Sequence, residues 1–265
     1  MSAKSTKLPV VFVGHGSPMN AIEENRWSEG FRALGAALPK PAAIVAISAH
    51  WYVRGTFVTG NDKPPTIHDF GGFPDELYAV QYPAAGDPAL ARELVSELEA
   101  AGHEAALRND WGLDHGTWSV LHHMRPKADC PVIQLSIDQR LPPTKHVELG
   151  RVLAPLRERG VLVLGSGNIT HNLRDAFGRM HSGDTRTPPW AAQFDAEASA
   201  AIERHDNEHL AAMALSDNAR LAHPTLDHYL PLLYCAGASQ PDDRATFPIT
   251  GFDLGSLSMR CVVWE

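Results

Sequence analysis

Four histidines stand where short apolar runs stop. "PVVFVG" leads into His15, which lies between Gly14 and Gly16, and "AAIVAISA" leads into His50, followed by Trp51. "GVLVLGSG" is followed within a few residues by His171, and His228 opens the apolar segment "HYLPLLY". An imidazole titrates near neutral pH and, when neutral, ligates metals, so each ring is a candidate acid/base or ligand. A lone histidine beside an apolar segment is more often a core residue with a satisfied ring. Four expected at one rim of a fold point instead to a transition metal. They do not name it, because imidazole suits Zn, Fe and Cu alike.

Other chemistries lack their residues. "GSG" at 165–167 misses the third glycine of a dinucleotide loop. There is no GxxxxGK[ST], no GxSxG around Ser17 or Ser166, and no HExxH. Cys130, Cys235 and Cys261 are odd in number and widely spaced, which fits buried thiols rather than a zinc knot or a disulfide framework. The net charge is −8 without a Lys/Arg cluster, so neither nucleic acid nor an anionic membrane is an expected partner. No stretch approaches the roughly 18 apolar residues of a membrane span. Lys4 and Lys7 before "LPVVFVG" do not make a signal peptide. The expectation is a soluble, cytoplasmic protein whose oligomeric state has no sequence signature.

The elements that must position the histidines are legible from the pattern. Residues 9–14, 42–49, 131–137 and 160–167 are Val/Ile-rich, nearly continuous in hydrophobicity and bounded by Gly or Pro, as strands covered on both faces are. The segment 256–264 reads as a C-terminal strand. Helices are expected over 87–102, over 144–160 with an interruption at Pro155, and over 189–206 with a proline in the first turn. Segments 54–86 and 104–126 read as long, aromatic-bearing loops of the kind that serve function. With no repeat and no break in composition, the chain is read as one α/β domain over residues 1–265. Its central, largely parallel (mixed) sheet is flanked by helices on both faces. Ligands gather at the carboxyl ends of the strands in such sheets, which is where the histidines fall.

Six ordered motifs carry a family likeness: "GHGSPM" (14–19), "SAHW" (48–51), "PPTIHDFGGFP" (64–74), "DHGTW" (114–118), "GSGNITHN" (165–172) and "DHYLPLLY" (227–234). From about residue 9 to the end, the chain resembles the 4,5-DOPA extradiol dioxygenases, within the class III (LigB-type) extradiol ring-cleavage enzymes. The resemblance implies a LigB-like fold and O2-dependent opening of a small, DOPA-like catechol to a muconic-semialdehyde-type product. It implies His15, His50 and His228 as metal ligands, with His171 as a possible fourth ligand or as the acid/base. His115 would steer substrate or oxygen and give a proton. The wider class uses two histidines and a glutamate, so an all-imidazole set is a departure from it. Fe(II) would be needed for activity, while Zn(II) could occupy the same rings without supporting redox steps.

Around this set, His68, Phe70 and Trp51 are candidates for contact with the aromatic diol, and Phe73 and Tyr78 for pocket wall or loop packing. Asp114 could orient a histidine or cap a helix. His122 and His123 read as surface residues. His103, His146, His181, His205, His209 and His223 lie outside the motifs and are given no role. A zinc-dependent hydrolase on the same scaffold and a structural-metal module are the competing readings. Dependence on O2 and Fe(II) separates the first from the dioxygenase, and a closed four-ligand site would mark the second.

Overall fold

The computed structural model of the protein describes residues 7–265, so Lys4 lies outside it. Six strands form the central sheet: β1 (Val10–Gly14), β2 (Ala43–Ser48), β3 (Val132–Gln134), β4 (Val161–Gly167), β5 (Ala245–Ile249) and β6 (Cys261–Trp264). Their order is β3-β2-β4-β1-β6-β5. β1 to β4 run parallel to one another; β6 pairs antiparallel with β1, and β5 pairs antiparallel with β6 at the edge.

The continuous apolar runs follow from covering both faces. Along β1, Val10 and Phe12 enter one core while Val11 and Val13 enter the other. β2 and β4 divide in the same way, with Val45 and Val163 on the first face and Ile44 and Leu164 on the second. A period-two strand whose two faces are both buried shows no alternation in its sequence. Helices α1 (Arg26–Ala37) and α3 (His115–Met124) cover the second face through Trp27, Phe31, Trp118 and Leu121. Helices α2 (Pro88–Ala100), α4 (Pro143–Leu153), α6 (Pro189–Glu203) and α7 (Leu230–Ala238) cover the first, and α5 (Leu173–Ser182) follows β4.

The expected helices are present, and Pro155 does interrupt its helix, which turns into a 3-10 segment at Ala154. Of the expected strands, 131–137 and 256–264 are each broken, with only Val132–Gln134 and Cys261–Trp264 in the central sheet. Other expectations change. The segments 54–86 and 104–126 are not all loop: the first holds a short strand, Phe57–Thr59, and a helical turn, Asp75–Tyr78, and the second holds a strand, Ala106–Arg108, paired with that one, and α3. Nine of the ten α3 residues are buried, so the helix has no polar stripe from which its period could be read. His123 is not a surface residue, because α3 turns it inward, where Nε2 lies 2.7 Å from the Asn20 carbonyl oxygen. The three cysteines are buried free thiols. Among the described residues no helix is long and apolar enough to cross a membrane.

Candidate metal centre and active site

The carboxyl ends of β1, β2 and β4 open onto one rim, and His15, His50 and the "NITHN" turn leave from it. Two glycines let the backbone close up there. A Cβ on Gly167 would lie 2.2 Å from the His228 carbonyl oxygen, and one on Gly165 would lie 2.8 Å from that of Pro231. The "GSG" sequence therefore seats the segment bearing His228 against β4, where the Asn168 N–H donates to the His228 carbonyl. A glycine spacing reminiscent of phosphate loops serves here as a chain-packing device.

Partners fix the tautomers of the converging rings. The Ser166 hydroxyl donates to the Gly116 carbonyl at 2.5 Å, so its oxygen accepts from His15 Nδ1–H at 2.9 Å. Asp227 Oδ2 is 2.8 Å from His228 Nδ1, and Asp69 Oδ2 is 3.2 Å from His50 Nδ1. A carboxylate only accepts, so both nitrogens carry the proton. In all three rings Nε2 is left as a lone pair. His15 Nε2 and His50 Nε2 face each other at 3.4 Å, and His228 Nε2 is buried with no hydrogen-bond partner. Two lone pairs in that position repel unless a cation stands between them. Nitrogens bound at 2.0–2.1 Å to one metal lie about 2.8–3.4 Å apart at octahedral or tetrahedral angles. The donor set fits a metal ion.

His115 joins this group. Its donor atom and those of His15 and His50 lie within 4.8 Å of one another, a triad able to hold a metal. The His228 ring centroid is 5.2 Å from that of His15 and 5.0 Å from that of His50. His171 stacks flat on His228, with centroids 3.4 Å apart and planes 4° from parallel. Burial, and then the neighbouring imidazoles, push His15 and His228 well below the ordinary histidine range. Burial likewise takes His50 to about 3 and His171 to about 4. The rings are neutral at pH 7, as ligation requires.

Asp114 both caps and orients. Its carboxylate accepts from the Thr117 N–H at the start of α3 and from Gln134 Nε2 at 2.7 Å, while Gln134 Oε1 accepts the Asp114 N–H. The cap sets the helix end on which His115 rides. Burial, followed by the charge of Asp69, raises its carboxyl to about 6.

The aromatic candidates divide. The Phe70 ring meets His115 edge-on at 5.3 Å, with Phe73 and Tyr78 packed against Phe70 at 5.3 and 5.2 Å. His68 lies behind this wall, its Nε2 donating to the Val80 carbonyl at 3.0 Å. Trp51 is only 1% exposed and stacks on Trp111 at 5.6 Å, which gives it packing contacts next to His50. Among the histidines without a role, His146 meets the Tyr234 hydroxyl, His205 the Asp243 carbonyl and His209 Glu197, whereas His223 is buried against the Tyr229 ring with neither nitrogen hydrogen-bonded. Sequence reasoning passed over Asp227, which holds His228, and Asp69, which touches both His50 and His115. Asp69 stands between His68 and Phe70, and a carboxylate in a loop that bears pocket aromatics was the available signal.

This rim can be compared with known proteins. The family described as the catalytic LigB subunit of aromatic ring-opening dioxygenase matches residues 8–250. The chain belongs to that family. It is accordingly an extradiol ring-cleavage dioxygenase with a LigB-type mixed α/β fold. A 4,5-DOPA dioxygenase extradiol of Escherichia coli K12 is 47% identical over 264 residues, covering 97% of this chain and 95% of its own. The protein of the same name from Beta vulgaris is 37% identical over 93% of this chain and 92% of its own. A crystal structure of an uncharacterized Escherichia coli K12 protein superposes with a TM-score of 0.84 at 41% identity, covering 97% of this chain and 99% of that one.

Proposed function

We propose that this LigB-family chain opens the ring of a small, DOPA-like catechol with O2, giving a muconic-semialdehyde-type product. The observation that carries the reading is the facing pair His15 Nε2 and His50 Nε2, with a third free Nε2 on His228 beside them. We assign the metal to His15, His50 and His228, because in each of these Nδ1 is held by a neighbour and Nε2 is free. His115 lies in the same compact set, with its Nδ1 2.9 Å from Asp69 Oδ2, and we place it beside the metal as the proton donor. Fe(II) supplies the redox chemistry and the binding of diol and O2, whereas Zn(II) suits the same imidazoles without that chemistry.

The chain's own residues do the rest. His171, kept neutral by burial, accepts a proton from the catechol hydroxyl and is held in place by its stack on His228. Phe70, backed by Phe73 and Tyr78, offers an aromatic surface against which the substrate ring is placed. His68 braces that wall from behind.

The test is O2 uptake by protein stripped of metal and reloaded anaerobically with Fe(II), given L-DOPA and simpler catechols. Uptake with a new visible absorbance, absent with Zn(II), is expected. No uptake despite confirmed iron loading would turn the reading toward the zinc hydrolase. Metal content separates the two candidate third ligands. His228→Ala is expected to lose the metal and His115→Ala to keep it, and the reverse result would move the third position to His115.

A further inference from the structure

Asp69 is one carboxylate serving two imidazoles. Oδ2 lies 3.2 Å from His50 Nδ1 and 2.9 Å from His115 Nδ1, and Oδ1 accepts the His115 backbone N–H at 2.9 Å. The two rings are consequently close, with centroids 3.7 Å apart. With its acceptor between both Nδ1 atoms, Asp69 favours the tautomer that leaves Nε2 free in each ring. Burial would raise the Asp69 carboxyl, but the hydrogen bonds and charge of His115 and His50 outweigh it and hold it below the ordinary carboxylate range.

The same residue belongs to the pocket wall. The segment 66–82 is closed at its base, where Thr66 bridges to Leu113 and its hydroxyl accepts the Tyr82 N–H at 2.9 Å. His68 ties its two limbs through the Val80 carbonyl, and Phe70 carries the wall onto His115. Asp69 is where this segment grips the ring set.

We infer that Asp69 is a positioning residue that couples metal occupancy to the order of the aromatic wall. A metal that fixes His50 fixes the carboxylate bonded to it, and with it Phe70 and the rest of segment 66–82. The coupling is reciprocal, so a loosened wall weakens the metal site by the same factor. Loss of such a carboxylate–histidine contact elsewhere costs about 10–100-fold in metal affinity. The inference rests on the metal reading above, which holds His15 and His50 as ligands.

The experiment measures Zn(II) affinity by chelator competition, the visible spectrum with Co(II), and hydrogen exchange of amides 66–82 with and without Zn(II). Wild type, Asp69→Asn and Asp69→Glu are compared. Wild type is expected to bind Zn(II) and gain protection over 66–82. Asp69→Asn is expected to bind about 10–100-fold more weakly, to show an altered Co(II) spectrum, and at saturating Zn(II) to gain no protection there. Asp69→Glu, which keeps the charge but moves the carboxyl, is expected to fall between. Wild-type affinity in both variants, or loop protection that still follows the metal in both, would overturn the coupling. Should Asp69→Asn lose the exchange protection of β4, the comparison rests on Asp69→Glu alone and is decided by the same two readouts. If wild type binds no metal, or binds it unchanged after His50→Ala, the metal reading falls, and the coupling falls with it.

Discussion

At the amino-terminal ends of β1 and β4, Arg157 is buried beside Asp243 with neither side chain exposed. Its donors all find oxygens: Nε donates to the Leu8 carbonyl, Nη1 to Ala238 and Asp243, Nη2 to Asp243 and Trp264. Lys7 and the Gln240 N–H complete the carboxylate. At the carboxyl ends of β1, β2 and β4 the polar groups are largely buried too, but they are left short of partners: two Nε2 atoms face each other, and a third faces nothing. An unpaired buried polar group costs free energy, so several of them converging on one point mark a place that something else can use. The closed network joins the chain's first strand, its central strand and its C-terminus, whereas the open one waits for a ligand.

This contrast can be broken experimentally. His50→Ala should reduce ring cleavage by about a thousandfold or more, the upper part of what a single catalytic group supplies. It should leave urea stability within about 1 kcal/mol, because the ring it removes has an Nε2 without a hydrogen-bonding partner. Unfolding of that variant would show the rim to be structural. Asp243→Ala should cost about 3–5 kcal/mol in urea denaturation, since it strands a buried guanidinium. The folded fraction should keep its KM, and a changed KM would show that the two ends communicate.

Titration sharpens the same comparison in two windows. At the rim, His50 and His171 have folded values of about 3 and 4, below the ordinary 6.5, so the unfolded chain binds more protons between these limits. Metal-free protein should therefore lose stability as pH falls from about 6.5 toward 4. At the other end burial opposes ionisation, but Arg157 and Lys7 outweigh it and bring Asp243 to about 2. Its contribution is present above its unfolded value and is lost as pH falls from about 4 through 2, on the order of 2 kcal/mol. Urea midpoints across pH 2–8 should show His171→Ala flattening the upper window and Asp243→Asn the lower; both variants altering one window would merge the two ends. The smallest effect is expected from Phe70→Leu, which should raise KM for a catechol about 3–10-fold with kcat nearly unchanged.

How much of this was legible varies with the kind of constraint. The strands and the histidines at their ends could be read because burial on both faces writes a local signal and the strand tip marks the rim. Helix α3 could not, since a helix buried all round has no stripe. The pairing of Arg157 with Asp243 joins residues 86 apart in the chain and leaves no local trace. Asp69 escaped for a related reason: its partners, His50 and His115, lie on either side of it in sequence, and only the folded loop brings it to both. Trp51 was placed beside the pocket by adjacency to His50, but its ring packs on Trp111.

Gly167 sets a dimensional tolerance. The backbone behind it is so near that a methyl group would meet the His228 carbonyl oxygen at 2.2 Å, so the gap between strand and histidine is as narrow as a hydrogen atom allows. Ligand distances are specified to within about 0.2 Å, whereas relieving such a clash would shift the segment by about an ångström or more, since a carbon settles at about 3.3–3.6 Å from a carbonyl oxygen. An alanine there would leave each of the histidines in the sequence and the sheet in place. The assembly would still come together with every part present, machined one size too large at a single joint.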